Sequence, residues 1–374
     1  MIRHSNPISL KPGCEARCPA CPHRSYTKEE SLDIKQKFLQ NKLSAWTGLT
    51  EPFRSVEEEK RWGYRDKVRL HTQWIEGKWK AGIIRNEILI PIPDCPVESE
   101  AVRTSCSNIL KMLPPPEVFP MVFYIQSGKQ VTLVVKQSKN KFQPGREELS
   151  ERLSATANIE GLWLHFNPSA GNKVFMKGGW ELLFGEPVSV DDYGLYYGPA
   201  SFQQAIPALF RDAMTECVRF LSPEDSVVTD LFTGTGASIR TWTAHKAEKV
   251  IGVESGMESV NMARRNNPGM EILLGNCEDR IPQVDEFVNK HCLDRSKLKL
   301  FVNPPRTGFS EKLIQWIVQN LKPAKIAYLS CSPGTLSRDL TFFSSNNYRV
   351  HRIIPYDFLP QTLHIEALAL LSVK

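Results

Sequence analysis

Val227-Val-Thr-Asp-Leu-Phe-Thr-Gly-Thr-Gly236 is the stretch on which the fold turns. An apolar run that passes through Asp230-Leu-Phe and breaks at Gly234-Thr-Gly236 reads as a buried strand turning sharply into a helix, here ASIRTWTAHKA. Two glycines let the backbone turn tightly and approach a ligand at the helix amino end. About twenty residues on, the next apolar run ends in Gly252-Val-Glu254, where a carboxylate can accept hydrogen bonds from both hydroxyls of a ribose. Further out, EILLG, LKLFVNPP and KIAYLSCS alternate with stretches long enough for helices, and HRIIPYDFLP with IEALALLSV supplies two last strands. Such alternation over residues 186–374 predicts an α/β domain with a doubly wound, mostly parallel sheet.

Upstream, residues 50–185 read as β-rich: KVRLHTQW, AGIIRNEILIPI, MVFYIQ, QVTLVVKQ and GLWLHF are short strand-like runs bounded by Gly, Asn and Pro. Residues 1–49 hold a Cys/Pro-rich segment, GCEARCPACPH, and a helix with Thr27 and Glu30 spaced as a capping box. Leu32, Leu39, Leu43 and Trp46 follow at roughly helical spacing. The 374 residues suit two or three domains. The start, MIRHSNPISLKPG, has no apolar run like a signal peptide, and no stretch is long and apolar enough for a membrane span. Nine cysteines, an odd number, argue against a disulfide framework and for a reducing cytoplasm. The balance of 47 Lys+Arg against 41 Asp+Glu permits a polyanionic partner without requiring one.

Chemistry concentrates at the predicted strand ends. A dinucleotide or S-adenosylmethionine fits the Gly turn, but the third glycine of G-x-G-x-x-G is missing, with Ile239 or Arg240 in its place, which favours the ligand without a diphosphate. Asn276 to Glu278, after the third strand, are placed to reach an adenine. The fourth strand ends in Asn303-Pro-Pro-Arg306, where two prolines fix the backbone. Arg306 stands where amino-methylating enzymes carry a stacking aromatic residue, which points to a different target atom. Cys331 follows the strand KIAYLS, and Glu366 opens the final apolar strand, where a carboxylate is costly unless paired or functional. A thiolate and a base beside a methyl donor suit carbon-5 of a pyrimidine: the thiolate adds to carbon-6, and the base removes the carbon-5 proton after transfer.

Cys14, Cys18, Cys21 and the distant Cys95 supply four thiolates, which suit [4Fe–4S] or structural zinc. C-x3-C-x2-C is also similar to radical S-adenosylmethionine enzymes, although those leave an iron open and have no separate cofactor pocket. Lys60-Arg-Trp-Gly-Tyr-Arg-Asp-Lys-Val-Arg69, with Trp74 and Lys78-Trp-Lys80, interleaves cations and aromatic rings as an RNA-binding surface does. A base that must meet both Cys331 and a methyl donor has to leave its stack, so a single-stranded or loop target is expected.

Taken together, Cys14/Cys18/Cys21 with Cys95, Ser201-Phe-Gln-Gln204, Asp230 to Gly236, Asn303-Pro-Pro-Arg-Thr-Gly308, Ser330 to Asp339 and the Thr362/His364/Glu366 ending make the chain resemble the RNA uracil-C5 methyltransferase family across nearly its whole length. The resemblance implies a C-terminal Rossmann-like methyltransferase domain, with Cys331 as nucleophile and Glu366 as base. It implies S-adenosylmethionine contacts at Gln204, Asp230, Phe232, Gly234, Gly236 and Glu254, with Asn303 beside cofactor and target base. It also implies a [4Fe–4S] cluster on Cys14, Cys18, Cys21 and Cys95, and an RNA contact at Tyr64, Arg65 and Lys67. The chain begins near its cluster motif, without the separate N-terminal β-barrel of some relatives, which makes it most similar to the shorter 23S rRNA type; tRNA is the alternative substrate, and a monomer is expected. Three positions depart from the family pattern: Thr233 for a small Cys or Ser, Ile206 for Asn, and Asn303 for the Asp of many members.

Overall fold

A computed structural model describes residues 10–374 apart from Gln143, Ala157 and Asn172. The stretch read above for a signal segment, residues 1–9, thus lies outside the described residues. Two compact units are present: residues up to Tyr26 with Glu57–Ala205, and Thr27–Val56 with Ile206–Lys374. These boundaries differ from the expected ones at 49/50 and 185/186.

The helix after the cysteine segment, α1 (Lys28–Lys42), belongs to the second unit. Its capping box forms as expected: Thr27 Oγ1 accepts from Glu30 N at 3.2 Å and Glu30 Oε2 accepts from Thr27 N at 2.9 Å. The reason for the shifted boundary is burial. Leu39 and Leu43 sit fully buried in the second unit's core, each contributing about 1.5–3 kcal/mol by leaving water. No local signal marks that choice.

The first unit is a seven-stranded sheet. Its strands are β1 (Lys67–Ile75), β2 (Lys78–Arg85), β3 (Ile88–Pro91), β4 (Met121–Ser127), β5 (Gln130–Val135), β6 (Gly161–Phe166) and β7 (Trp180–Gly185), in the order β3-β2-β1-β4-β5-β6-β7. Only β5 and β6 pair in parallel. One face packs against α2 (Glu100–Met112) and α3 (Arg146–Ser154), burying Leu70, Ile109, Leu133 and Leu164. A two-stranded ribbon, β8 (Ser189–Val190) with β9 (Tyr196–Tyr197), keeps residues 186–205 with this unit, because Gln130 Nε2 donates to Glu186 O and Ser189 Oγ, both at 3.0 Å.

The second unit is the expected α/β domain. In chain order it holds α4 (Pro207–Leu221), β10 (Val227–Leu231), α5 (Ala237–Ala244), β11 (Lys249–Glu254), α6 (Met257–Asn266), β12 (Glu271–Leu274), α7 (Ile281–His291), β13 (Leu298–Val302), α8 (Glu311–Trp316), β14 (Lys325–Ser330), α9 (Pro333–Ser345), β15 (Tyr348–Tyr356) and β16 (Glu366–Val373). The sheet order is β12-β11-β10-β13-β14-β16-β15. Strands β10 to β14 are parallel, and both pairings of β16 are antiparallel. Order reverses between β10 and β13, the place where ligands bind at the carboxyl edge of such sheets. Because β16 runs the other way, its amino end arrives at that same edge. No helix among the described residues is long and apolar enough to cross a membrane.

Candidate active site

The Gly turn after β10 is strained. Phe232, Gly234 and Gly236 all have positive φ (62°, 58° and 83°), a conformation that costs an aromatic residue like Phe232 about 1–3 kcal/mol and concentrates at functional loops. The turn is held from two sides. Glu254, at the end of β11, accepts from Gly234 N at 3.0 Å through Oε2 and from Gly256 N at 2.7 Å through Oε1. Oε1 also accepts from Ser255 Oγ at 3.4 Å, so Oε2 is the oxygen that keeps a second lone pair for a ligand hydroxyl. Asp230, expected at the cofactor, is instead fully buried, and its Oδ2 accepts from Trp242 Nε1 at 2.7 Å. Burial lifts its carboxyl to about 6. It anchors the turn to α5 from below. Thr233 is buried, and Ile206 caps the start of α4 from within the core.

Beside this turn, Asn303 is half-buried and its N–H reaches Leu231 O at 3.4 Å, which ties the ends of β13 and β10 together. Asn276 Nδ2 donates to Asp279 Oδ2 at 3.0 Å, and Glu278 Oε1 accepts from Ser310 Oγ at 2.5 Å.

Cys331 and Glu366 are placed by adjacent strand ends. The antiparallel β14–β16 ladder runs to Ser330 opposite Ala367. Cys331 is the residue after β14 and Glu366 the first of β16, so both stand at the carboxyl edge of the sheet, near enough for the carboxylate to act on the thiol. Both are half-buried. Burial, then the nearby Glu366 carboxylate, push the Cys331 thiol up to about 11, while the Arg306 guanidinium pulls it down. Burial also lifts Glu366 to about 8, again opposed by Arg306. Arg306, read in the sequence only as a missing aromatic residue, is thus the charge that serves both groups. Its Nη2 donates to the His364 ring, 3.0 Å from Nε2.

Arg306 is positioned by α9. Thr335 Oγ1 donates to Arg306 O at 3.2 Å, and Arg338 Nη2 donates to Thr307 O at 3.1 Å and Phe309 O at 2.9 Å. Buried Asp339 accepts from Tyr328 Oη at 2.8 Å and Phe309 N at 3.2 Å. The Ser330–Asp339 motif therefore carries the clamp on the Asn303–Gly308 turn as well as Cys331. Gly308 sits at φ 69°, and a Cβ there would meet Asp339 Oδ2 at 2.6 Å. Gly308→Ala is expected to lower unfolding stability by about 1–3 kcal/mol in urea titrations; an unchanged midpoint would show that the turn is not held this way.

In the first unit, Cys14, Cys18, Cys21 and Cys95 all line one pocket, with Arg24, Arg65 and Glu98. The cysteine segment rides directly on the Asp94–Cys95 turn, since a Cβ on Gly13 would lie 2.2 Å from Asp94 O. Burial, then the nearby Cys95, push Cys21 up to about 12. Among the described residues, no three His, Cys, Asp or Glu side chains stand close enough to hold a single metal ion.

Part of the basic–aromatic run is engaged within the unit, while Lys60, Arg69, Trp74 and Lys78 are exposed. Arg65 lines the cysteine pocket, and Lys67 donates to Ser201 O with its ammonium 5.7 Å from the Phe202 ring. Trp79 is core, donating to Pro114 O at 2.8 Å. Along β1 the outward side chains are Lys67, Arg69, His71 and Gln73, while Val68, Leu70 and Thr72 point inward. Gln204 is half-buried and belongs to this first unit.

Residues 169–374 match the family model described as tRNA (Uracil-5-)-methyltransferase. The chain is similar to an uncharacterized RNA methyltransferase of Listeria innocua, 26% identical over 397 aligned positions that cover 98% of this chain and 84% of the relative. An uncharacterized RNA methyltransferase of Clostridium tetani is 27% identical, covering 97% and 83%. The fold is similar to that of Pyrococcus abyssi tRNA (uracil-54, C5)-methyltransferase in complex with S-adenosyl-L-homocysteine, with a TM-score of 0.72 at 20% identity over 98% of this chain and 86% of that one.

Proposed function

We propose that this chain, which belongs to the tRNA (uracil-5-)-methyltransferase family, methylates carbon-5 of a uridine in RNA from S-adenosylmethionine, with Cys331 as nucleophile and Glu366 as base. The observation that supports the reading is the β14–β16 ladder, which ends at Ser330 and Ala367 and so leaves a thiol and a carboxylate at neighbouring strand ends, on the sheet edge that also bears the Gly turn. S-adenosylmethionine, when bound, supplies an electrophilic methyl group. The crevice suits it: Glu254 Oε2 offers a lone pair for the ribose, the turn offers close backbone, and Asn303 stands alongside. Gln204, Phe232, Gly234 and Gly236 complete the proposed contacts, with Asp230 acting through the turn that it anchors.

Carbon-5 of uracil is too weak a nucleophile to take a methyl group unaided. The Cys331 thiol first gives its proton to solvent water, and Arg306 is the group that stabilises the thiolate. Its sulfur then forms a bond to carbon-6, and the ring electrons move to give an enolate reactive at carbon-5. After the methyl group arrives, Glu366 takes the carbon-5 proton, the 5,6 double bond re-forms, and the Cys331–carbon-6 bond breaks. RNA containing 5-fluorouridine has no carbon-5 proton to lose, so it should stay joined to Cys331 after methyl transfer. Bound RNA that forms no such adduct with S-adenosylmethionine present refutes the mechanism.

The proposed substrate is 23S rRNA, on the resemblance of the ordered motifs to the shorter rRNA type. A tRNA uridine, the substrate in the printed name of the Pyrococcus abyssi enzyme, is the second reading. Mapping 5-methyluridine in both RNAs from cells lacking this protein decides between them.

We also propose that Cys14, Cys18, Cys21 and Cys95 hold a [4Fe–4S] cluster. All four line one pocket, four thiolates suit such a cluster or structural zinc, and the family resemblance favours the cluster. Bound there, it would join the cysteine segment to the turn after β3 and serve structure, not redox chemistry. Anaerobically purified protein should be brown with about four irons per chain, and Cys95→Ser should lose them; colourless, zinc-loaded protein would overturn the assignment.

A further inference from the structure

Helix α1 contributes a polar clamp that the proposed reaction does not yet use. Lys35 and Asp357 are an ion pair with both side chains at 0% exposure and Nζ 2.5 Å from Oδ1. A buried pair of this kind is often no more stabilising than apolar residues of similar volume, because two charges must be desolvated. What it does supply is direction. Lys35 Nζ also donates to Leu359 O at 3.1 Å and Pro360 O at 3.5 Å, and Ser31 Oγ, one turn earlier on α1, donates to Pro360 O at 3.3 Å.

These acceptors lie in the chain reversal between β15 and β16, directly beside the proposed base. Tyr356 is the register partner of Glu366, and Asp357 is the next residue. From Leu359 a hydrogen-bonded path continues across the reversal. Thr362 Oγ1 donates to Leu359 O at 2.9 Å, His364 N donates to Thr362 Oγ1 at 3.1 Å, and the His364 ring meets Arg306. The reversal is poorly satisfied within itself: Asp357 Oδ2 and both amide atoms of Gln361 are buried with no hydrogen-bond partner among the described residues. Such a segment holds its shape through outside contacts. The residues after α1 supply a second grip, since Arg54 N donates to Pro355 O and Asp357 N to Arg54 O, both at 2.9 Å.

We propose that Lys35 is a positioning residue for proton removal at carbon-5: through Asp357, Leu359 and Pro360 it fixes the reversal that aims Glu366 at the methylated ring. The inference rests on the proposed Cys331/Glu366 reaction. The clamp grips the reversal beside the base, whereas the Arg306 turn is held separately by Thr335 and Arg338 of α9, so loss of the clamp should slow release of the covalent intermediate and leave its formation intact.

Lys35→Met alone strands a buried carboxylate and is expected to unfold readily, so the informative protein is the pair replacement Lys35→Met/Asp357→Leu. It should fold with a Tm at or above that of wild type. In rapid-quench experiments with substrate RNA and S-adenosylmethionine, the covalent complex should form at the wild-type rate and decay about tenfold to a hundredfold more slowly, the scale of a base displaced by about an ångström. The pH profile of decay should change with it. Decay at the wild-type rate, equal slowing of formation and decay, or failure of the pair replacement to fold would each overturn the proposal, the last by making the pair a stability device. A wild-type protein that forms no adduct with 5-fluorouridine RNA would instead sink the underlying reaction, whatever Lys35 does.

Discussion

Cys331→Ala should abolish methyl transfer to RNA, by at least about 10⁴-fold, the scale on which covalent enzymes lose rate when their nucleophile is removed. The size of the effect follows from the substrate: without a bond at carbon-6 there is no enolate, and the methyl group has no carbon nucleophile to meet. The same variant should form no adduct with 5-fluorouridine RNA while still binding it, as read by denaturing gels beside filter binding. Methylation persisting within tenfold of wild type would mean that another group activates the ring. Because burial and Glu366 hold the thiol near 11, the free protein keeps Cys331 protonated at neutral pH. Attack then depends on Arg306, so the step should quicken as pH rises.

Glu366→Gln should have the second largest effect, with a different signature. Thiolate addition and methyl transfer survive, but removal of the carbon-5 proton slows by about 10²–10⁴-fold, and the RNA–protein complex accumulates on denaturing gels. Ready turnover by this variant would refute the assigned base. Stability gives an independent check. Burial lifts Glu366 to about 8 in the fold, against about 4.3 in an unfolded chain. Between those values the folded state holds a proton that the unfolded chain has released. The stabilising contribution is therefore full below about pH 4.3 and is lost as pH rises through 8. Glutamine suffers no such loss, so the Tm of the variant relative to wild type should climb from pH 5 to pH 9. A difference that stays flat across that range would show that the carboxyl is not held high by burial.

Most of the second unit was legible because parallel strands buried on both faces read as unbroken apolar runs. VVTDLF, KVIGVE, EILLG, LKLFVNPP and KIAYLSCS each became a strand. The first unit was less so: Trp180–Gly185 was not read as a strand because every one of its side chains is half-buried or exposed and it shows no alternation. Helix α1 was legible through its cap, whereas its partner was not, since docking Leu39 and Leu43 onto a core built from residues beyond 226 leaves no local trace. One signal was available: Lys35 interrupts the stripe Ser31, Leu39, Leu43 at four-residue spacing, a charge in the middle of a face that is otherwise buried. The Cys331–Glu366 pairing could be guessed from chemistry, but the ladder that brings their strand ends together is a tertiary fact. The Tyr64–Lys67 run was only partly legible for a similar reason. Arg65 and Lys67 look like free cations in the sequence, and the fold uses them within the unit, at the cysteine pocket and on Ser201.

The Lys35–Asp357 pair also sets a timetable for synthesis. Its partners are 322 positions apart, so at about 5–20 residues per second roughly 16–64 s separate their appearance from a ribosome. Throughout that interval α1 exists without the acceptors for its buried ammonium. The sheet stays open as well, because β16, made last, must insert between β14 and the already completed β15. The proposed reacting pair is therefore complete only once residue 366 has been made, and a nascent chain stalled before it would carry the thiol without the carboxylate proposed to release it.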